Sequence, residues 1–337
     1  MSSGPLDQLG RPVRDLRLSV TDRCNFRCIY CMPREAFGPN HAFLARTEIL
    51  TYEEFARLVS VFAQLGVSKV RLTGGEPLLR KDLETLVSMV AATPGIDDVA
   101  LTTNGSLLAT RAMSLRAAGL NRVTVSLDSI DPAMFAAMAD TRLALATVLD
   151  GIAAATDAGL SPVKLNAVVR RGRNDEGIVE LAEFARAHGH VLRFIEYMDV
   201  GDTNKWVLDD VVPSAEVIAR IGAVFPVEPM PSIRRGEVAK RWRYVDGSGE
   251  IGVISSVTQP FCTDCTRARV TSIGELFTCL FGSRKLDLRA LMRAGSSDDE
   301  LRRAISGVWS GRRDRYSEVM RVGGGNEPRA EMSYLGG

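Results

Sequence analysis

The chain has 337 residues, of which 45% are hydrophobic and 25% are charged, and its formal net charge is +1. This length suits one large domain, or one domain with a modest extension. The near-neutral charge argues against an overall basic nucleic-acid binder. No apolar run approaches the roughly 18 residues of a membrane span, and the first residues lack the profile of a secretory signal, so we expect a cytoplasmic protein.

Between residues 16 and 197, short apolar or β-branched runs alternate with longer helical patterns. This alternation is typical of repeated βα units around a parallel sheet. The helical run at 51–66 is an example, because Phe55, Leu58 and Phe62 share one face and Gly66 can end the helix. Six strands are predicted, at residues 16–21, 69–73, 99–103, 122–127, 163–169 and 191–197.

A complete (βα)8 barrel needs two more units, and the sequence after residue 199 does not supply them. It contains a helix that starts at Pro213, strand-like runs at 240–246 and 250–255, and a second group of cysteines. We therefore predict an α/β fold in which residues 1–209 form an incomplete TIM-type (βα)6 barrel. Residues 210–321 would form a C-terminal extension, and 322–337 a flexible, glycine-rich tail.

The loops after the strands of a parallel barrel build its active site, and the first predicted strand leads into Cys24, Cys28 and Cys31. Three thiolates on one loop can hold three irons of a four-iron cluster and leave the fourth without a protein ligand. The alternative is a zinc site, which would need a fourth ligand; the nearest histidine, His41, lies ten residues further on.

The second predicted strand is followed by residues 73–77, with the sequence TGGEP. Two glycines let a backbone approach a ligand without an intervening Cβ atom. Such a pair by itself is most often only a turn. At the end of a barrel strand it is also a candidate binding loop.

A second group of cysteines consists of Cys262, Cys265 and Cys279, and no histidine follows it. Two groups of three suggest two clusters, each with one iron that lacks a protein ligand, whereas a small zinc ribbon is the alternative. Arg267 and Arg269 come directly after Cys265, spaced as on one face of a strand. Paired arginines are usually solvated, but beside a cluster they are suited to clamp phosphate oxygens.

Three cations stand in predicted barrel strands, namely Lys69, Arg71 and Lys164. A buried cation without a partner is costly. An anionic ligand would remove that cost, and an internal Asp or Glu partner would do so equally.

The Cys24, Cys28 and Cys31 spacing, with Tyr30 before the last cysteine and TGGEP after the second strand, resembles the radical S-adenosylmethionine superfamily. Nearly the whole chain resembles one family within it, the GTP 3',8-cyclases that start molybdenum cofactor synthesis. The segments that carry this likeness are LRLSVTDRCNFRCIYCMP, KVRLTGGEPLLRKDL, LTTNG, VTVSLDS, VKLNAVVRRG, LRFIEYMD, CTDCTRARVTSIGEL with the later Cys279, and MSYLGG.

The resemblance implies two [4Fe-4S] clusters. The one on Cys24, Cys28 and Cys31 would cleave S-adenosylmethionine, and the one on Cys262, Cys265 and Cys279 would meet the guanine of GTP. Implied contacts with S-adenosylmethionine are Tyr30, Gly75, Ser126 and Met198. Implied contacts with GTP are Arg17, Arg71, Thr102, Lys164, Arg267 and Arg269. Implied catalytic residues are Arg17, Lys69, Gly336 and Gly337.

The resemblance also implies that the final Gly336–Gly337 pair enters the active-site cavity. The alternative is that this glycine end is simply disordered.

In the implied reaction a 5'-deoxyadenosyl radical takes the 3' hydrogen of GTP, and C3' then attacks C8 of guanine. One electron and one proton complete (8S)-3',8-cyclo-7,8-dihydroguanosine 5'-triphosphate.

The expected partners are GTP, an external low-potential electron donor, the cyclic pyranopterin monophosphate synthase that receives the product, and a second copy of the chain in a homodimer. Neither a membrane nor a nucleic acid is expected. Two rival functions are open: a radical enzyme that modifies peptides, and a non-catalytic zinc protein that binds nucleic acid.

Overall fold

The computed structural model describes residues 4–233, 235–283, 285–319 and 330–336. Six strands pair in parallel, each with the next along the chain. They are β1 (Asp15–Ser19), β2 (Lys69–Thr73), β3 (Asp98–Thr103), β4 (Arg122–Ser126), β5 (Lys164–Val169) and β6 (Val191–Glu196). All six predicted strands are thereby confirmed, and the incomplete TIM-type barrel with them.

Helices follow each of these strands, in the order of repeated βα units. They are α1 (Tyr52–Gln64), α2 (Leu83–Ala91), α3 (Leu108–Ala117), α4 (Pro132–Ala139), α5 (Leu145–Asp157), α6 (Ile178–Ala187) and α7 (Ser214–Gly222). In α1, Thr51 and Glu54 form a reciprocal capping box. Its fully buried Phe55 and Phe62 face the core. Gly66, at a φ of 97°, reverses the chain after the helix as expected.

Alternation along the strands places polar side chains inside the barrel. In β1, Leu16 and Leu18 are fully buried in the hydrophobic core, whereas Arg17 between them lines a cavity. In β2, Arg71 has the same position between Val70 and Leu72. Most TIM barrels fill their interior with layers of branched apolar side chains. Here the inward positions surround a cavity of about 540 Å³ instead.

The C-terminal extension adds strands to both sides of the barrel sheet. Its described residues supply no further βα unit, as expected, but β9 (Glu250–Ile254) pairs in parallel with β6, and β10 (Arg267–Val270) pairs in parallel with β1. Antiparallel strands continue the sheet outwards: β7 (Val227–Met230), β8 (Lys240–Tyr244), β11 (Glu275–Phe277) and β12 (Leu286–Asp287). Within the described ranges, β7 and β12 are the two ends of this sheet.

Short helices complete the extension: α8 (Leu288–Arg293), α9 (Asp298–Ser310), α10 (Tyr316–Val319) and α11 (Met332–Leu335). No helix in the described part of the chain is both long enough and apolar enough to cross a bilayer. The domain boundaries expected at residues 209 and 321 stay predictions.

The predicted tail lies partly outside the described residues, since 320–329 and Gly337 are not among them. Residues 330–336 pack against the protein. Glu331 accepts hydrogen bonds from the Asp202 amide at 3.0 Å and the Thr203 hydroxyl at 2.8 Å, and Tyr334 donates to Glu275 at 2.5 Å. The tail thus connects the loop after β6 with β11.

A buried carboxylate fastens the extension to the barrel. Glu196, at the end of β6, is 2% exposed. Its two oxygens accept hydrogen bonds from the amide and hydroxyl of Ser214, from the Val257 amide, and from the amide and hydroxyl of Thr258. Ser214 starts α7, and residues 257–258 follow β9. One side chain therefore holds three segments together.

Replacing Glu196 with Gln should destabilise the protein, because an amide nitrogen would then face N–H and O–H donors. We expect the free energy of unfolding to fall by about 1.5–3 kcal/mol, the range for a hydrogen bond to a charged group. Chemical denaturation measures this. Glu216→Gln is the control, since Glu216 lies on α7 but pairs near the surface with Arg171 and Arg220, where ion pairs contribute little. Equal losses would contradict this role of Glu196.

Candidate active site

The cavity inside the barrel brings the sequence-predicted residues together. It is lined from β1 to β6 and by β9 and β10. All six cysteines line it, and none of them forms a disulfide. The other predicted residues on its wall are Arg17, Tyr30, Lys69, Arg71, Gly75, Thr102, Ser126, Lys164, Met198, Arg267 and Arg269. Gly337 lies outside the described residues.

Hydrogen bonds hold the first cysteine loop in shape. The thiol sulfur of Cys24 accepts from the Phe26 amide at 3.4 Å and from the Asn104 side chain at 3.9 Å. Arg27 donates to the carbonyls of Cys24 and Phe37, each at 2.8 Å. N–H donors directed at sulfur are typical surroundings of cluster thiolates.

The donor set fits an iron–sulfur cluster. Burial raises the pKa of Cys24 to about 11 and that of Cys31 to about 12, and a bound metal ion is the kind of positive centre that stabilises a buried thiolate. In the described ranges, no three His, Cys, Asp or Glu side chains are gathered closely enough to share a single metal ion.

The glycines after β2 let that turn lie directly against the start of the cysteine loop. The Gly75 amide donates to the Thr21 carbonyl at 2.8 Å, and the next amide donates to the Arg23 carbonyl at 2.7 Å. A Cβ atom at Gly75 would lie 2.3 Å from the Arg23 oxygen, and one at Gly74 would lie 2.6 Å from the Thr21 oxygen. Any larger residue would therefore push the two loops apart.

Glu76 connects the loop after β2 to the loop after β3. It is fully buried and accepts from the Thr103 hydroxyl and the Asn104 amide, both at 2.7 Å. Burial raises the pKa of this carboxyl to about 7. Sequence reasoning assigned Glu76 no separate role, because its partners Thr103 and Asn104 lie in another βα unit.

Asp128 connects the cysteine loop to β4 and β5 in a similar way. The Tyr30 hydroxyl donates to one of its oxygens at 2.9 Å, and the Val168 amide donates to the other at 2.8 Å. Burial raises the pKa of Asp128 to about 6. Tyr30 is thus fixed beside the cysteines at the wall of the cavity.

Three arginines stand side by side on neighbouring strands. Arg269 on β10, Arg17 on β1 and Arg71 on β2 are direct partners in the strand register. The guanidinium of Arg71 donates to the hydroxyls of Thr102 and Thr124. No hydrogen bond or ion pair joins the Arg17 guanidinium to any described residue. Burial, together with Arg269, Arg267 and Arg71, holds the pKa of Arg17 well below its usual value.

Arg267, which like Arg269 lies between Cys265 and Cys279 in the chain, lines the same cavity as these three arginines. Burial and the neighbouring Arg267 lower the pKa of Arg269 to about 9. One guanidinium nitrogen of Arg269 also donates to the Gly336 carbonyl at 2.8 Å. A Cβ atom at Gly336 would lie 2.4 Å from the Thr73 methyl group, so only glycine fits there.

Arg193 belongs to this group of arginines, although sequence reasoning missed it. Burial lowers the pKa of Arg193 to about 9, and the positive charges of Arg71 and Arg122 contribute to the shift. Its buried Nε has no hydrogen-bond partner among the described residues. Burial and Arg193 in turn lower the pKa of Lys164 to about 8. The signal was available: β6 reads VLRFIE, with arginine between apolar residues as in β1 and β2.

Lys69 differs from the other strand cations. Its ammonium lies 3.4 Å from Asp98 and 4.0 Å from Asp15, so an internal carboxylate partner is present. For Lys69, an internal carboxylate rather than an anionic ligand therefore offsets the cost of burying the cation. Its catalytic role stays a prediction.

Two family models match the chain. The Radical SAM superfamily matches residues 18–185, and Molybdenum Cofactor Synthesis C matches residues 190–318. Similar curated proteins include the GTP 3',8-cyclases of three bacteria. That of Acidothermus cellulolyticus is 55% identical over 98% of both chains, that of Xanthomonas axonopodis 48% over 100% of both, and that of Staphylococcus aureus 44% over 98% of both.

Solved structures resemble the fold at low sequence identity. Streptococcus suis SuiB bound to precursor peptide SuiA is 15% identical, with a TM-score of 0.56 over 92% of this chain and 67% of that one. Methylornithine synthase (PylB) is 16% identical, with a TM-score of 0.50 over 64% and 63%. These likenesses concern the fold alone. The identity of 44–55% along the whole length shows that the chain belongs to the GTP 3',8-cyclase family of the radical SAM superfamily.

Proposed function

We propose that this protein is a GTP 3',8-cyclase, which uses S-adenosylmethionine to join C3' of the ribose to C8 of guanine within GTP. This is the first step of molybdenum cofactor synthesis. The observation that carries the proposal is a group of half-buried and buried cations that faces the same cavity as the six cysteines. We call this group the cation cluster; it comprises Arg17, Arg71, Lys164, Arg193, Arg267 and Arg269.

A triphosphate supplies what the cation cluster lacks. Burial and repulsion by neighbouring arginines disfavour the charged forms of Arg17, Arg193 and Arg269, and a polyanion would offset both penalties at once. Guanidinium groups also match phosphate oxygens with paired N–H donors. A peptide would offer fewer negative charges to Arg17, Arg193 and Arg269 than a triphosphate does, which argues against the peptide-modifying rival.

Two groups of three thiols support two [4Fe-4S] clusters, of which the first lies beside the proposed S-adenosylmethionine site. The first cluster, held by Cys24, Cys28 and Cys31, would supply the electron that cleaves S-adenosylmethionine to methionine and a 5'-deoxyadenosyl radical. The second, held by Cys262, Cys265 and Cys279, would supply an iron without a protein ligand for guanine. In the second cysteine group, the surroundings of Cys265 favour its thiolate form, which is the form that binds iron. Burial opposes its ionisation, yet Arg267 and Arg312 lower its pKa to about 6.

The chain's own contribution is orientation and exclusion of water. Tyr30, Gly75, Ser126 and Met198 would hold S-adenosylmethionine near the first cysteines. The cation cluster, with Thr102, would hold the triphosphate. Arg17 would contact the substrate from the middle of the arginine row, and Gly336 would reach the same cavity beside Arg269, followed by Gly337.

The proposed reaction needs outside partners. An external low-potential donor would provide electrons, and the product would pass to cyclic pyranopterin monophosphate synthase. A homodimer and a cytoplasmic location complete the proposal. They rest on the family alone.

Gly75→Ala tests the S-adenosylmethionine site. The added Cβ atom overlaps the Arg23 oxygen, so the turn and the cysteine loop must separate. Overpacking of about 1–3 kcal/mol corresponds to roughly 5- to 150-fold weaker binding of S-adenosylmethionine, measured by equilibrium dialysis on reconstituted protein. Gly177→Ala is the matched control, because no atom lies within 4 Å of a Cβ atom there. Unchanged binding in Gly75→Ala would contradict the assignment.

Arg267→Ala and Arg269→Ala test the triphosphate site. A charge-assisted hydrogen bond to a partly buried anion contributes about 1.5–3 kcal/mol, so each change should weaken GTP binding by roughly 10- to 150-fold. The loss should decrease from GTP to GDP and nearly vanish for guanosine. Lysine replacements should recover only part of it, because an ammonium lacks the paired donors.

The control for this series is Arg235→Ala, since Arg235 forms an exposed ion pair with Asp264 outside the cation cluster. It should leave all three affinities unchanged. If Arg267 and Arg269 only solvate the extension, their variants would weaken all three ligands equally or not at all. Such a flat profile would remove both residues from the substrate site.

A further inference from the structure

A buried charged network lies behind the second cysteine group and joins the two ends of the chain. Asp7 and Arg11 come from the segment before β1, and Arg312 follows α9. The side chains of Asp7 and Arg11 are completely buried, and that of Arg312 is 1% exposed. None of the three was singled out by the sequence, and none has a part in the proposed binding of GTP.

These residues fix one another. Arg11 donates from Nε to one Asp7 oxygen at 2.6 Å, and Arg312 donates from Nη1 to the same oxygen at 3.4 Å. The Trp309 indole donates to the Arg11 carbonyl at 3.0 Å, and the Arg312 guanidinium stacks 4.6 Å from the centre of the Trp309 ring. One carboxylate and one aromatic ring thus hold two guanidinium groups in place.

The network contacts the second cysteine group at or beside each cysteine. Arg11 donates to the carbonyl of Cys262, and Arg312 donates to the carbonyl of Cys265 at 2.7 Å. Arg11 and Arg312 both also contact Asp314, which accepts from the hydroxyl of Thr278 at 2.5 Å. Thr278 directly precedes Cys279.

Two fully buried guanidinium groups are a costly way to join an N-terminal segment to a helix. Well-packed apolar residues of similar size often serve a fold as well or better. One nitrogen of Arg11, Nη2, is also buried without a hydrogen-bond partner in the described part of the chain. A cluster held by three thiolates carries negative charge, and each added electron increases it. Nearby buried cations therefore favour the reduced form.

We propose that Asp7, Arg11 and Arg312 form a clamp that positions Cys262 and Cys265 and raises the reduction potential of the cluster bound there. The three are positioning residues, because they act through the cysteine main chain and through charge. The inference rests on the proposed function in one respect, since it requires that the second cysteine group holds a cluster.

The experiment separates the two sites with cysteine variants. Full-length protein in which Cys24, Cys28 and Cys31 are all Ala keeps only the second cluster, and the converse variant of Cys262, Cys265 and Cys279 keeps only the first. Arg312→Gln is introduced into each. The readouts are iron and sulfide content, the midpoint potential from an electron paramagnetic resonance titration, and the rate of iron loss to a chelator.

With the second cluster alone, Arg312→Gln should shift the midpoint potential to a more negative value and speed iron loss by roughly 10- to 100-fold, the usual effect of losing a group that supports metal ligands. With the first cluster alone, neither quantity should change. Arg312→Lys keeps the charge, but one ammonium cannot replace the guanidinium contacts with Asp7, the Cys265 carbonyl and Asp314 together. It should recover most of the potential while iron loss stays fast.

Arg57→Gln is the matched control. Arg57 also fastens the α9 region, through Asp298 and the Ser296 carbonyl, but lies away from the cysteines. It should change neither readout. If Arg312→Gln does not fold, Arg11→Lys replaces it, with the same expected increase in iron loss.

Two results would overturn the inference, and they are distinguishable. Equal potentials and equal iron loss in the parent and in the Arg312 and Arg11 variants would reduce the clamp to a structural contact and leave the proposed function intact. A parent variant without Cys24, Cys28 and Cys31 that binds no iron would remove the second cluster. That result would overturn the two-cluster proposal as well.

Discussion

The burial of like charges inside the barrel is the constraint on which the rest of the structure depends. Strands β1, β2, β5, β6 and β10 each direct at least one cation into the same cavity, while the residues between them pack into the apolar core. The backbone of a sheet keeps these cations from separating. Their repulsion, added to burial, lowers the pKa of Arg17, Arg193 and Lys164. A ligand with several negative charges would offset the repulsion among these cations.

Buried carboxylates carry out a different task in this protein. Glu76, Asp128 and Glu196 each stand at the end of a barrel strand and accept hydrogen bonds from neighbouring loops. Because main-chain amides and hydroxyls satisfy these oxygens, the carboxylates fix the loops without neutralising the cation cluster. Lys69 and Arg122 on the cavity wall differ from the cation cluster, since Asp98 pairs with both. Glu76 and Asp128 therefore hold the loops around the first cysteine group in place, while the cation cluster keeps its positive charge.

The sequence allowed the local parts of this arrangement to be predicted. Strand alternation located β1 to β6, and cysteine spacing located both thiol groups, because these signals lie within a few neighbouring residues. The pairing of β9 with β6 and of β10 with β1 joins segments far apart in the chain, so periodicity carried no sign of it. The roles of Glu76 and Asp128 were not predicted either, because their hydrogen-bond partners lie far away in the sequence. Arg193 was visible in the alternation of β6 and was overlooked.

The proposed cyclisation of GTP can be tested by following a single hydrogen atom. With the triphosphate in the cation cluster and the ribose near S-adenosylmethionine, the 3' hydrogen of GTP should be the atom transferred. Reconstituted protein would be incubated with dithionite, S-adenosylmethionine and GTP deuterated at C3', and the products analysed by mass spectrometry. We predict deuterium in 5'-deoxyadenosine together with a cyclised triphosphate. Undeuterated 5'-deoxyadenosine without any product derived from GTP would contradict the account.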